Sequence, residues 1–346
     1  MTAYETRRLG DTKVEVTIIG LGMVPLAGFN AKTSYTDCED VIRTAFAGGV
    51  KYFDCAPFYG YGKAEYNLGH AIRELGIRDD IVVSTKVGRL LRTLSKSDTS
   101  NAAYGELWTD PLPFRDVFDY SYDGVMRSFE DSQARLAMDY IDVLLVHDVS
   151  PDWHGERADH YWQQLGDGGF RALDELRRSG AVSAIGLGVN DTETVVRAAR
   201  EFDIDCALIA GRYTLLNHKP LEGAFSELQQ RNVSVLAGGV FNSGILAAGT
   251  RGQGATYDYG SVPEDILHRV GVIEEICARH RVPLSSAAIE FVLMHPAVTA
   301  VVLGAKSVAE TKENLASSSA RIPAQLWVDL KDAGIIPDLA PVKADQ

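Results

Sequence analysis

One recurrence constrains this chain more than anything else: short β-branched apolar runs alternate with longer amphipathic segments, and eight such runs can be counted. They are VTIIGLG from Val16, KYFDCAP from Lys51, IVVSTKVG from Ile81, IDVLLVHD from Ile141, VSAIGLGV from Val182, CALIAGRY from Cys206, VSVLAGGV from Val233 and VTAVVLGA from Val298. Alternation of this kind is the mark of repeated βα units around a parallel sheet. Eight units in a chain of this length predict an α/β fold of the closed (β/α)8 TIM barrel type. An open doubly wound sheet is the alternative, and it calls for GxGxxG after the first strand. GLGMVPLAG from Gly20 has glycines but not that spacing.

The whole chain, 1–346, reads as a single domain, with the barrel at about 14–320 and a C-terminal helix and tail at 321–346. Ahead of the barrel, TRRLGDTKVEVT reads as an N-terminal β-hairpin turning at Gly10–Asp11, placed to plug the far end. Ser121 is a natural cap for a helix that sets Val125, Phe129 and Leu136 on one face. Pro283 should break the segment between Leu267 and Pro296 into two helices. Two connections exceed ordinary βα turns, Arg89–Tyr120 and Val149–Gly168, and both would emerge at the C-terminal face, where barrels of this kind assemble their sites. A third, Ala248–Pro263, is rich in Gly and Tyr and reads as a cover.

Four polar residues end strands or follow them at that face: Asp54, Tyr59, Lys86 and His147. Singly, each has a bland reading as a turn cap, a solvated strand end or a satisfied core histidine. As a set on consecutive strands they suit hydride transfer between a carbinol and a nicotinamide, which needs a group to take or give the hydroxyl proton. A free tyrosine, with its pKa near 10, is a poor base at neutral pH. An ammonium at Lys86 would stabilise its phenolate, Asp54 would hold that ammonium, and His147 would orient the substrate oxygen. Tyr61 and Tyr66 fall at the start of the next helix and read as packing or rim residues, and Cys55 faces away from Asp54.

The same residues carry a resemblance. FDCAPFYG, STKVG and LLVHD resemble the Asp–Tyr, Lys and His motifs of the aldo-keto reductases, and the similarity continues through IGLGVN and GAKSVAETKENL over nearly the whole chain. It implies a catalytic tetrad of Tyr59, Asp54, Lys86 and His147 and an extended NAD or NADP without a Rossmann domain. By the same resemblance Asn190 binds the nicotinamide amide, and Asn242, Ser243 and Gly244 the pyrophosphate. Gly304, Lys306, Ser307, Glu313 and Asn314 match the adenosine segment. Glu310 stands where NADP-preferring relatives carry a neutral or basic residue, which favours NAD, while Lys306 pulls the other way. Three positions depart from the pattern: Val189 for a serine, Ala210 for a glutamine, and Gly238 for a ring stacked on the nicotinamide, with Phe241 the residue that would compensate.

APFYGYG, AGRYTLL and FNSGILAAG look most like the branch that oxidises aldoses, so the implied reaction is oxidation of the anomeric carbon of an L-fucose, D-arabinose or L-galactose type sugar to its lactone. Oxidation of pyridoxal, general aldehyde or ketone reduction, and a non-enzymatic role as a cofactor-binding regulatory subunit stay open as alternatives. Arg89, Trp108, Trp153 and His154 are the candidate substrate contacts, aromatic platforms with polar partners.

Composition narrows the partners. A net charge of -13 disfavours a nucleic-acid or anionic-membrane surface, and no stretch reaches the roughly 20 apolar residues of a membrane span. The N-terminus lacks the apolar core of a signal peptide, so a cytoplasmic location is expected. Four isolated cysteines without CxxC or His/Cys spacing indicate no disulfide framework and no metal site. A homo-oligomer is neither indicated nor excluded.

Overall fold

A computed structural model describes residues 5–93, 107–252, 256–258 and 260–343. Parts of the two expected loops, 94–106 and 253–255 with 259, and the end of the expected tail lie outside the described residues.

Strands β1 (Thr6–Arg8) and β2 (Glu15–Thr17) form the antiparallel hairpin. The barrel strands are β3 (Ile19–Gly22), β4 (Tyr52–Asp54) and β5 (Val82–Val87), then, after a ribbon of β6 (Arg89–Thr93) and β7 (Phe114–Phe118), β8 (Ile141–His147), β9 (Val182–Val189), β10 (Cys206–Ala210), β11 (Ser234–Gly238) and β12 (Val298–Gly304). Eight of these close in the order β10-β11-β12-β3-β4-β5-β8-β9, with every neighbouring pair parallel. The chain folds as a (β/α)8 TIM barrel.

Each of the eight apolar runs holds one barrel strand, and the largest shift of a start is at the first. Val16 and Thr17 belong to the hairpin, and the first barrel strand starts at Ile19. The Thr17 hydroxyl donates to the Ile19 carbonyl at 2.7 Å and accepts from the Lys51 N–H at 3.0 Å, turning the chain from one sheet into the other. Ser121 accepts from the Gly124 N–H to start helix Tyr122–Leu136, which buries Val125, Phe129 and Leu136. Helix Glu264–His280 is followed at Pro283 by helix Leu284–Leu293. No described helix is long and apolar enough to cross a membrane.

The barrel interior is packed by Tyr52, Val143, Leu145, Ala184, Cys206, Leu208, Leu236, Ala300 and Val302 and closed below by Leu9, Val14 and Val16 of the hairpin. The hairpin is thus the plug. Side chains two residues apart on a strand share a face. Asp54 therefore rises above Tyr52, Lys86 above Ser84, and His147 above Leu145, so these polar groups point into the open mouth.

The long connections hold more regular structure than loops. Arg89–Tyr120 contains the β6–β7 ribbon, and Val149–Gly168 contains helices Pro151–His154 and Ala158–Gln164 running on into helix Phe170–Ser179. The segment after Ala248 folds back by bridges Gly244–Thr256 and Tyr257–Gly260.

Candidate active site

Lys86 is 1% exposed, and its Nζ donates to both carboxylate oxygens of Asp54 at 2.9 Å and to the Cys55 carbonyl at 2.8 Å. Burial pulls its pKa down most strongly, but Asp54 and Tyr59 together more than offset burial and hold the ammonium charged, above its ordinary value. Room for the lysine stem comes from Gly188 across the barrel, where a Cβ would stand 3.0 Å from the Lys86 Cε.

Tyr59 closes a tight turn, its N–H donating to the Ala56 carbonyl at 3.2 Å. The Lys86 Nζ sits 4.7 Å from its ring centroid, and the His147 ring meets it edge-on at 5.8 Å. Burial raises the phenol pKa above its ordinary value; Lys86 opposes that rise and the Asp54 carboxylate adds to it. Tyr61 lies in the turn with φ 53°, ahead of helix Lys63–Leu75 rather than on it, and its ring is buried in the core. Tyr66 is on the helix and 48% exposed. All four cysteines are buried and free, with Cys55 in the layer between barrel and helices.

Burial, then the Arg89 and Lys86 cations, push the His147 pKa well below its ordinary value, so the imidazole is neutral. Its Nδ1 is buried without a hydrogen-bond partner, and its Nε2 lies 3.3 Å from the Asp148 carboxylate.

The candidate substrate residues sit beside this group in roles the sequence did not show. Arg89 is 1% exposed, with both terminal nitrogens held: Nη1 donates to Asp116 at 2.7 Å and Nη2 to Asp148 at 2.6 Å. Its guanidinium is packed against the rings of Phe58, Trp153 and Phe118 at 4.0, 4.2 and 4.6 Å. It ties the β6–β7 ribbon to the strand of His147 instead of offering a free charge to a ligand. Trp108 is buried, with its ring 5.5 Å from Phe58 and 6.2 Å from Tyr59. His154 Nε2 meets the Tyr120 hydroxyl at 3.1 Å, and that hydroxyl also donates to the His147 carbonyl at 2.7 Å.

Sequence reasoning missed Asp116, Asp148 and Ser84. Asp148 follows His147 directly, and Ser84 precedes Lys86 by two on the same strand face, which is a signal of position but not of partner.

On the opposite side of the mouth, the residues proposed for a dinucleotide line up at the ends of β9, β11 and β12. Asn190 follows β9, and its carbonyl accepts from Arg212 Nε at 2.7 Å. Asn242, Ser243 and Gly244 follow β11 with φ of 45°, 60° and 111°, an unusual run of left-handed residues, and the Asn242 Oδ1 is buried without a partner. Ser307 caps helix Val308–Ser318, so that helix presents its N-terminus at the end of β12. The Asn314 amide donates to the Gly304 carbonyl at 3.1 Å, and Glu313 stands beside it on the same helix. Lys306 and Glu310, which oppose each other as discriminators, are partners here: Glu310 Oε2 accepts from the Lys306 N–H at 2.9 Å, and the Lys306 Nζ lies 3.7 Å from Oε1. A helix N-terminus on this rim offers backbone N–H donors to a phosphate, and the orphaned Asn242 Oδ1 is an acceptor for an amide or hydroxyl donor of the same ligand. The residues fit a nicotinamide dinucleotide.

At Gly238 an added Cβ would meet Ala210 Cβ and Leu208 Cδ2 at 3.4 Å, ordinary van der Waals contact.

Comparison with known proteins agrees with this fold. The model of the aldo/keto reductase family matches residues 18–334. The chain is similar to a pyridoxal 4-dehydrogenase of Microbacterium luteolum, 42% identical over 97% of this chain and 99% of that protein. It is also similar to a D-threo-aldose 1-dehydrogenase of a Pseudomonas species, 34% identical over 93% of this chain and 95% of that protein. Among solved structures it is similar in fold to the holo form of aldo-keto reductase AKR11C1 from Bacillus halodurans, with TM-score 0.73, 22% identity, and coverage of 99% of this chain and 98% of that one.

Proposed function

The chain belongs to the aldo/keto reductase family, and from that premise we propose that it oxidises the hemiacetal carbon of a cyclic substrate to a lactone, with a nicotinamide cofactor as partner. The observation that carries the reading is Tyr59 held between the Lys86 ammonium and a neutral His147 under an aromatic wall. The nicotinamide, when bound, supplies the hydride acceptor. The chain's own residues do the rest. Tyr59 takes the hydroxyl proton at its phenolate oxygen, Lys86 holds that oxygen's charge, Asp54 aims Lys86, and neutral His147 hydrogen-bonds the substrate oxygen. Loss of the C–H hydride and the O–H proton leaves a carbonyl, which in a ring hemiacetal is a lactone.

Pyridoxal and aldoses, the substrates named for the two similar proteins, both close into internal hemiacetals, so one mechanism serves either. The aromatic reading comes first. Among the described residues the charges nearest Tyr59 are already paired, Lys86 with Asp54 and Arg89 with Asp116 and Asp148, while Phe58, Trp108 and Trp153 form an edge-to-face ring cluster beside it. That composition suits a flat heteroaromatic hemiacetal such as pyridoxal. An aldose of the L-fucose, D-arabinose or L-galactose type is the second reading, since aromatic surroundings also suit the apolar side of a pyranose. Steady-state assays with pyridoxal, L-fucose and a simple aldehyde test it. A kcat/KM for pyridoxal at least about tenfold above that for L-fucose is expected; the reverse order favours the sugar. Turnover of simple aldehydes alone would sink the hemiacetal reading, and cofactor binding without any turnover would point to a regulatory role.

For the cofactor we propose NAD. Glu310 pairs with Lys306 at the adenosine end, so Lys306 does not stand free there for a 2′-phosphate. Glu310→Gln releases Lys306, and the KM for NADP is expected to fall by about three- to fivefold with the KM for NAD little changed, at most about the 1 kcal/mol of one exposed charge contact. An unaltered NADP/NAD ratio would refute this role for Glu310.

A further inference from the structure

Beneath the Asp54–Lys86 pair runs a buried hydrogen-bond chain that the mechanism above does not use. Ser84 Oγ donates to Asp54 Oδ1 at 2.7 Å, and the Tyr52 hydroxyl lies 3.0 Å from Ser84 Oγ. Because the serine proton is committed to the carboxylate, Tyr52 is the donor to Ser84, and the chain has one direction: Tyr52 to Ser84 to Asp54. Both residues have no exposed surface, and the tyrosine sits among the apolar side chains that fill the barrel. Gly20 makes the space for it, since a Cβ there would stand 2.6 Å from the Tyr52 ring. Placing two hydroxyls in so apolar an interior carries a desolvation cost that apolar residues of similar size would avoid.

We propose that Ser84 and Tyr52 are positioning residues that set how strongly the Lys86 ammonium is felt at Tyr59. The inference rests on Tyr59 being the proton-transfer group. Asp54 Oδ1 is shared by Ser84 and Lys86. A neutral donor on that oxygen takes up part of the carboxylate's charge, and donors in a chain polarise one another in the same direction. Without it the carboxylate turns its full charge on Lys86, cancels more of the ammonium's field, and leaves a phenolate at Tyr59 less stabilised. Tyr52 is itself held protonated, because burial and then the Asp54 charge push its pKa well above the ordinary value, so it remains a donor across the working pH range.

The other ionisable groups around the pair are accounted for. His147 and Asp148 face Tyr59 from β8, with Arg89 next to them, and Cys55 and Glu65 lie behind Asp54 and Lys86. Cys206 faces Tyr52 across the barrel, and burial holds its thiol neutral. Of these, Cys55 bonds Ser84, and it does so at the backbone carbonyl, through its N–H at 2.9 Å and its thiol at 3.3 Å, so Ser84→Ala leaves their own bonds in place.

The experiment is kcat for hemiacetal oxidation against pH for wild type, Ser84→Ala, Ser84→Thr and Tyr52→Phe. Ser84→Ala is expected to lower kcat about tenfold at pH 7, with KM within about twofold, and the deficit should shrink toward unity at the highest pH, as a limb displaced by about one unit requires. Ser84→Thr, which keeps the hydroxyl, is expected to restore most of the rate, and Tyr52→Phe to move the limb the same way by less. A Ser84→Ala profile that superimposes on wild type, or lies below it by one factor at every pH, overturns the proposal, because a merely structural role predicts either. If Ser84→Ala does not fold, the Tyr52→Phe profile decides by the same criterion. Should Tyr59→Phe keep full activity, the function itself fails; should Tyr59→Phe be inactive while the two profiles match wild type, only the hydroxyl chain fails.

Discussion

Tyr59→Phe should lower kcat for hemiacetal oxidation by about 10²–10⁴-fold, the usual contribution of a positioned acid or base, with NADH binding measured by fluorescence unchanged. The hydroxyl is the only group the substitution removes, and the ring keeps its contacts with His147 and Trp108, so folding should be preserved. The pH dependence carries a second signature. Burial holds the phenol above its ordinary pKa, with Lys86 opposing, so oxidation by wild type should climb by about tenfold per pH unit through neutral and mildly alkaline pH. Reduction needs the protonated phenol and should not show that climb. His147 is neutral well below its ordinary pKa and should add no limb near pH 6.5. Retention of more than half the wild-type rate by Tyr59→Phe would remove Tyr59 from the chemistry.

Lys86→Met is expected to cost both activity and stability. It takes away the cation that opposes the buried phenol's high pKa, so oxidation at neutral pH should fall at least as far as in Tyr59→Phe. It also leaves the Asp54 carboxylate buried with only the Ser84 hydroxyl as partner, and breaking a buried ion pair from one side costs about 3–5 kcal/mol. Urea titration at pH 7 reads the loss. In the wild type the lysine's folded pKa is raised, so its contribution is whole below the unfolded value of about 10.4 and is lost only as pH rises through the folded one. A variant as stable as wild type at pH 7 would mean that the pair adds nothing to folding.

The barrel was legible because parallel strands covered by helices read as apolar runs, and a strand's polar terminal residue stands out against them. Asp54, Lys86 and His147 are such residues, and Tyr59 follows within the turn. The first strand was placed three residues early because Val16 continues the apolar pattern, although it belongs to the plug; apolar pattern alone does not say against which surface a residue packs. Arg89 was legible as a residue but not as a role. An arginine near a substrate loop and an arginine locked between two carboxylates look the same until positions 116 and 148 are brought to it. Likewise Lys306 and Glu310 read as rivals for cofactor choice and fold as partners.

By itself the sequence determined which elements form and which polar groups stand at strand ends, since alternation, apolar runs and caps act over a few residues. Tertiary structure decided the pairings: Tyr52 to Ser84 to Asp54, Arg89 to Asp116 and Asp148, and the space that Gly20 and Gly188 leave for Tyr52 and Lys86. These contacts join residues up to 102 positions apart, as 188 minus 86 shows for Gly188 and Lys86. Their energy comes from removing charges and hydroxyls from water into one small volume, and barrel closure is what creates that volume.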